Sequence, residues 1–273
     1  MTEQCAADNE FSLLRLVPTV LRARDFRLYT SPSVDGAGGR LVDLWQNGGA
    51  AILGHTPPSL LRELKNTASR GLYAPFPHFL QGRYEQALSC LFPGRNFRLY
   101  AAPVPELEAL VANGDATLWR PFVDPASPLL AGEDAAPVLI PVVPGIQMWR
   151  SGLPMGLCPL AVKAGADVAL PPSDFLPPVL LACAARGIYD LIAAAPQRAK
   201  PAYPRIERAL QNSQWQRQGL YLSLRETPSG EEWAALFRRF LDNGFLLPPV
   251  PTQPAILPGV LSPGEEAALA KLM

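Results

Sequence analysis

The sequence predicts an α/β protein: a sheet flanked by helices, joined to a smaller α+β module. Three observations carry this. RLVDLW (40–45) has the pattern of a strand covered on both faces and runs through an Asn47-Gly48-Gly49 turn toward a helix. PVLIPVV (137–143) is a wholly apolar β-run among helical patterns. SGEEWAALFRRFLDNG (229–244) is a capped amphipathic helix set among short strands.

In chain order, FRLYT and RLVDLW read as two strands joined by the glycine-rich turn VDGAGG. Thr56 is placed to cap a helix whose first turn holds Pro57 and Pro58, where a missing N–H costs little. Leu60, Leu61 and Leu64 form its apolar stripe and Gly71 its stop. GRYEQALSCLF is a second helix ending at Pro93-Gly94, followed by the strand FRLYAA and a helix over 103–113. Residues 114–136 are turn-rich and weakly patterned. LAVKAGADVALPPS reads as strand, turn and strand, and 177–195 as a long helix. After the linker-like APQRAKPAYP come the strand GLYLSL, the helix with Ser229 as cap, Glu232 at the capping-box position and Gly244 as stop, the short strands FLLPP and AILPG, and a terminal helix capped by Ser262.

Composition bounds the function. The 273 residues carry 24 basic and 24 acidic side chains, so no net field draws the chain to nucleic acid or anionic lipid. A hydrophobic content of 48% excludes a disordered chain, and 31 prolines imply short elements with stiff connections. The N-terminal MTEQCAADNEFSLLRLV lacks the charge pattern of a signal peptide. Arg186 and Asp190 interrupt the longest apolar segment, which argues against a membrane span. Cys5, Cys90, Cys158 and Cys183 are scattered without a C-x-x-C and suit a reducing compartment. A cytoplasmic protein is the expectation.

Candidates for chemistry are few. His55, at a helix entry where its ring can bond backbone groups, and His78 have no metal-ligand spacing, so no metal site is expected. No G-x-S-x-G elbow supports a hydrolase triad. Lys65, Lys200 and Lys271 read as solvated. Lys163, flanked by apolar residues in PLAVKAGADV, has two open readings: a nucleophile of lowered pKa, or a strand-end lysine reaching to water, the plainer of the two.

The order of these segments resembles the class III aminotransferases, pyridoxal-phosphate enzymes of fold type I. DGAGGRLVD matches the family's D-x-x-G-x-R-x-x-D, and LGHTPP its L-G-H-x-x-P. RYEQALSCLFPGRNFRLYAA is similar to the helix, Pro-Gly and strand before the cofactor's phosphate loop. YLSLRETPSGEEWAALFRRFLDNGFLLPPVPTQPAILPGVLSPGEEAAL is similar to the small domain. Together these cover somewhat more than half of the chain. The resemblance implies a reduced fold-type-I large domain (76–200), an α+β small domain (201–273) and an N-terminal segment (1–75) that packs with the latter.

The departures fall where the resemblance places the cofactor. The family's phosphate-binding Ser-Gly-Thr reads Ala102-Pro103-Val104 here, without hydroxyls and with one N–H fewer. The interval from Val104 to Pro137 leaves no room for the part that bears a ring-stacking aromatic residue. PVLIPVVPGIQ has Val and Pro where an Asp would bind the pyridine nitrogen, and without that carboxylate the ring is a poor electron sink. Only Lys163, followed by Ala164-Gly165, echoes the Schiff-base lysine.

The expectation is a non-catalytic relative that binds a partner chain or small ligand and needs no cofactor. The alternatives are a transaminase using pyridoxal phosphate on Lys163, and a structural dimer whose old site is filled by segments such as LPPSDFLPP. A homodimer is expected through the small, apolar stretch that includes Asn47, Gly48, Gly49, Ala50, Ala51 and His55.

Overall fold

Two antiparallel hairpins open the chain: β1 (Val20–Arg24) pairs with β2 (Arg27–Pro32), and β2 with β3 (Gly38–Asp43). Asp25 turns the first in a left-handed conformation (φ 51°). The computed structural model describes residues 12–32, 38–129, 136–150, 152–198 and 202–273, so most of the glycine-rich turn, Cys5 and Lys200 lie outside the described residues. The chain forms two units, Met1–Thr56 with Gln197–Met273, and Pro57–Pro196.

In the second unit, α1 (Pro58–Ala68) starts at its own proline, and Pro57 takes the N-cap position. Thr56, the expected cap, therefore stands one residue too early and makes no cap bond. Ser59 Oγ bonds the Asp190 carboxylate and Glu63 pairs with Arg83 at 3.3 Å. These ties place α1 in this unit, so the N-terminal share of the other ends at Thr56 instead of residue 75. Next come α2 (Leu80–Leu91), β4 (Arg95–Tyr100), α3 (Pro105–Asn113), β5 (Ala116–Trp119), β6 (Val138–Pro141), the small hairpin β7 (Met148–Arg150) and β8 (Leu153–Met155), and β9 (Cys158–Lys163).

The sheet order is β4-β9-β6-β5, with β9 antiparallel to its neighbours and β5 parallel to β6. Tyr100, Leu107, Val138, Ile140, Cys158 and Leu160 make its core. Each such side chain contributes about 1.5–3 kcal/mol by leaving water. Helix α4 (Pro178–Arg198) buries Leu181, Cys183, Ile188 and Leu191. It is long and apolar enough to cross a membrane, yet more than half of it is buried within the protein, as in a core helix. Two expectations fail here. Residues 166–177 form no second strand, since Pro171, Pro172 and Pro177 cannot donate to a ladder. Helix α4 runs to Arg198, past its expected end at 195, while the boundary between the units, Pro196/Gln197, falls within the stretch expected as a linker.

The chain then returns to the first unit with α5 (Pro204–Leu210), β10 (Trp215–Gln218), β11 (Tyr221–Leu224), α6 (Gly230–Asp242), β12 (Phe245–Leu246), β13 (Ala255–Ile256) and α7 (Pro263–Leu272). β12 joins β3 in parallel, Val42 opposite Phe245 and Asp43 opposite Leu246, which makes the N-terminal meander and the C-terminal residues one sheet. Both capping boxes form: Ser229 with Glu232, and Ser262 with Glu265. Trp233, Phe237 and Phe240 fill the space under α6.

Candidate functional site

In an α/β sheet, ligands bind beyond the carboxyl ends of the parallel strands. Here that edge is defined by Tyr100, Trp119 and Pro141, the last residues of β4, β5 and β6. The turn Ala101-Ala102-Pro103-Val104 leaves it and enters α3. Pro103 and Pro105 have no N–H, and no side chain caps the helix. Its first turn holds Glu106 and Glu108, which already complement the positive end of the helix dipole.

The first amide of the turn is already engaged. Ala101 N donates to Asp174 Oδ2 at 2.8 Å, and Gly156 N donates to Ala101 O at 2.7 Å. Three carboxylates, from Asp174, Glu106 and Glu108, thus stand around a turn with no cationic side chain or hydroxyl of its own. A phosphate dianion would meet repulsion and a depleted donor set. Val142, Val143 and Pro144, beyond β6, are buried apolar residues and offer no partner for a pyridine nitrogen. Tyr100, buried in the core with Leu107 and Ile140, donates its hydroxyl to Pro171 O at 2.6 Å, and burial raises its pKa. The residues present do not fit pyridoxal phosphate.

Lys163 lies elsewhere. Because β9 is antiparallel, Cys158 stands opposite Tyr100 at the carboxyl edge while Lys163 stands opposite Arg95 at the far edge. Six residues of strand separate those ends by about 17 Å. Lys163 is exposed, as the plainer sequence reading has it, and the sheet does not bring it to Ala102-Pro103-Val104.

A second constellation appears in the other unit. Asp43, at the end of β3 and only 2% exposed, accepts His55 Nε2 at 2.8 Å on Oδ2. Its Oδ1 accepts Trp45 N and Gln46 N, each at 2.8 Å. His55 reaches it because Gly54 takes φ 96° and passes the β1–β2 turn so closely that a Cβ would lie 3.2 Å from Asp25 backbone. His55 N then bonds Asp25 O at 2.8 Å. The Gly-His-x-Pro corner thus builds a carboxylate–imidazole pair, where sequence reasoning foresaw only backbone bonds for His55. The missed partner was legible as the acid closing the preceding strand.

Gly48, Gly49, Ala50, Ala51 and Ile52 are buried within this one chain, and burial accounts for their composition without a second subunit. Asn47 is half-buried. Among the described residues no group of acids, His and Cys is placed to hold a metal.

No family model matches the chain. An uncharacterized protein of Treponema pallidum (strain Nichols) is 29% identical over 296 residues, covering 90% of this chain and 91% of that protein. An uncharacterized protein of Borreliella burgdorferi is 37% identical over 75 residues, 28% of this chain and 26% of that protein. Among solved structures, an acetylornithine aminotransferase from Elizabethkingia anophelis superposes with a TM-score of 0.60 at 13% identity, covering 93% of this chain and 92% of the other. The ornithine aminotransferase of Plasmodium yoelii gives 0.60 at 14% identity, covering 100% and 98%. The chain therefore has the mixed α/β fold of the pyridoxal-phosphate aminotransferases. Spans this complete do not mark it as shortened.

Proposed function

We propose that this chain is a non-catalytic protein of aminotransferase fold, which binds a partner chain or a small ligand and makes no use of pyridoxal phosphate. The observation that carries the reading is the Ala101–Val104 turn. Its first amide, Ala101 N, is taken by Asp174, its Pro103 and the following Pro105 cannot donate, it has no hydroxyl, and Glu106 and Glu108 occupy the helix end an anion would need. Lys163 at the opposite edge of the sheet supports the same reading, since a reactive lysine must face the cofactor it binds. As for a partner chain, Tyr73, Phe76 and Phe79 are exposed within seven residues of one connection, which suits association; a second copy of the chain is the occupant we propose. A reducing, cytoplasmic setting is part of the proposal, since Cys90, Cys158 and Cys183 are free thiols.

Calorimetric titration of the purified chain with pyridoxal phosphate tests the central point. No saturable heat is expected. Stoichiometric binding that an Asp174→Ala substitution leaves unchanged would show a phosphate site we have not identified and would overturn the reading.

A further inference from the structure

We propose that a cavity in the unit built from the two chain termini binds a small apolar molecule bearing one hydrogen-bond donor, a hydroxyl or an amine, which His55 receives. The cavity measures about 380 Å³, within the range of small-molecule sites. Leu14, Val17, Val20, Leu28 and Leu246 line it with apolar surface, and the Asp43–His55 pair forms its principal polar wall. Such a site, mostly apolar with a few convergent polar groups, gains affinity from burial and specificity from the polar contact.

The chemistry of the pair selects the ligand. Asp43 has no oxygen to spare: Oδ1 serves two backbone amides and Oδ2 serves the ring. It acts as a positioning residue. As an acceptor it holds a ring proton at Nε2, and in the neutral ring Nδ1 is then the lone-pair acceptor. No partner for Nδ1 is found among the described residues, and the His55 side chain keeps 19% of its surface accessible. An entering apolar body strips water from that nitrogen, and a ligand without a donor leaves it unpaired. A ligand with a hydroxyl or N–H repairs the loss. The loop holding the wall is also committed: Gln46 and Asn47 both take φ 49°, a conformation non-glycine residues adopt at a cost. This inference is independent of the cofactor question, because every residue it uses lies outside the turn discussed above.

Fluorine NMR on the full chain tests it with 4-fluorobenzyl alcohol, 4-fluorobenzylamine and 4-fluorotoluene. Saturable binding of the alcohol or the amine at millimolar concentration is expected, at least tenfold tighter than the toluene, which matches one hydrogen bond. Alcohol alone would identify a neutral donor; amine alone would show that the Asp43 charge reaches the ligand. Either supports the site. Because His55 variants risk misfolding, Val20→Trp is the paired variant. Val20 stands 42% exposed, and the larger ring closes the space while circular dichroism confirms the fold. Binding should weaken at least tenfold. No binding by any of the three, equal binding by 4-fluorotoluene, or binding that a folded Val20→Trp leaves intact would each overturn the proposal.

Discussion

The Asp174 carboxylate accepts the Ala101 amide at 2.8 Å, and two further bonds extend this contact: Asp174 N donates to Leu99 O at 2.9 Å, and Leu99 N donates to Ser173 Oγ at 3.1 Å. The proline-rich segment 170–178 is thereby laid along the free edge of β4. It covers the edge with side-chain acceptors where prolines forbid a full ladder. Asp174→Ala should cost about 1 kcal/mol, the worth of one exposed charge-assisted bond. Urea unfolding measures it, and an unchanged midpoint would remove the contact from the account.

Gly187 sits inside α4, where an alanine would ordinarily stabilise a helix by about 1 kcal/mol. Here a Cβ would lie 2.0 Å from Pro144 O, which is backbone and cannot step aside cheaply. The clash outweighs propensity. Gly187→Ala should destabilise by about 2–3 kcal/mol, the usual cost of overpacking. A thermal midpoint equal to or above that of the parent chain would refute the close approach of helix and loop.

Glu265 gives the fold a pH dependence. Burial pushes its carboxyl up, but the Arg27 guanidinium and the Ser262 amide and hydroxyl outweigh this and bring it from 4.5 to about 2. Arg27 Nε and Nη2 reach it at 2.9 and 2.6 Å, and its side chain is 9% exposed. A folded-state pKa below the unfolded value contributes stability that is present above the unfolded pKa and lost as pH falls toward the folded one. The window is therefore pH 5 down to 2. After allowance for solvent screening the contribution is about 1 kcal/mol. Glu265→Gln should flatten this part of the stability–pH curve, and an unaltered slope would deny the ion pair its role.

Ala51 bears on association. At 7% exposure inside one chain, Ala51→Glu buries an unpaired carboxylate and should unfold the protein instead of splitting a dimer. Phe79→Glu, at an exposed position, should leave the fold intact and halve the mass seen by light scattering after size exclusion. A wild-type monomer at micromolar concentration would remove the proposed self-association.

Much of the fold was legible because periodicity and caps are local. Ser229 and Ser262 announced their helices, and the apolar run 137–143 announced β6. β1 was missed because VLRAR is mostly exposed, and β5 because four residues in a turn-rich stretch give no period. Thr56 failed as a cap because two prolines moved the helix start by one residue. The site was harder still. The pairing of Ala101 with Asp174 joins residues 73 apart and leaves no spacing signature, whereas that of Asp43 with His55 spans only 12 residues, and its one signal was the acid closing the strand. Lys163 read plausibly by its distance along the chain, and only the antiparallel course of β9 sends it to the wrong edge.

The measurement closest to the central claim is the visible absorbance of the purified chain after incubation with pyridoxal phosphate and removal of the excess. The carboxylates around Ala101 and the position of Lys163 predict no stable protein-bound colour, and the same spectrum for wild type and Lys163→Ala. A stable yellow protein whose band disappears in Lys163→Ala would contradict the account and establish a working aldimine site.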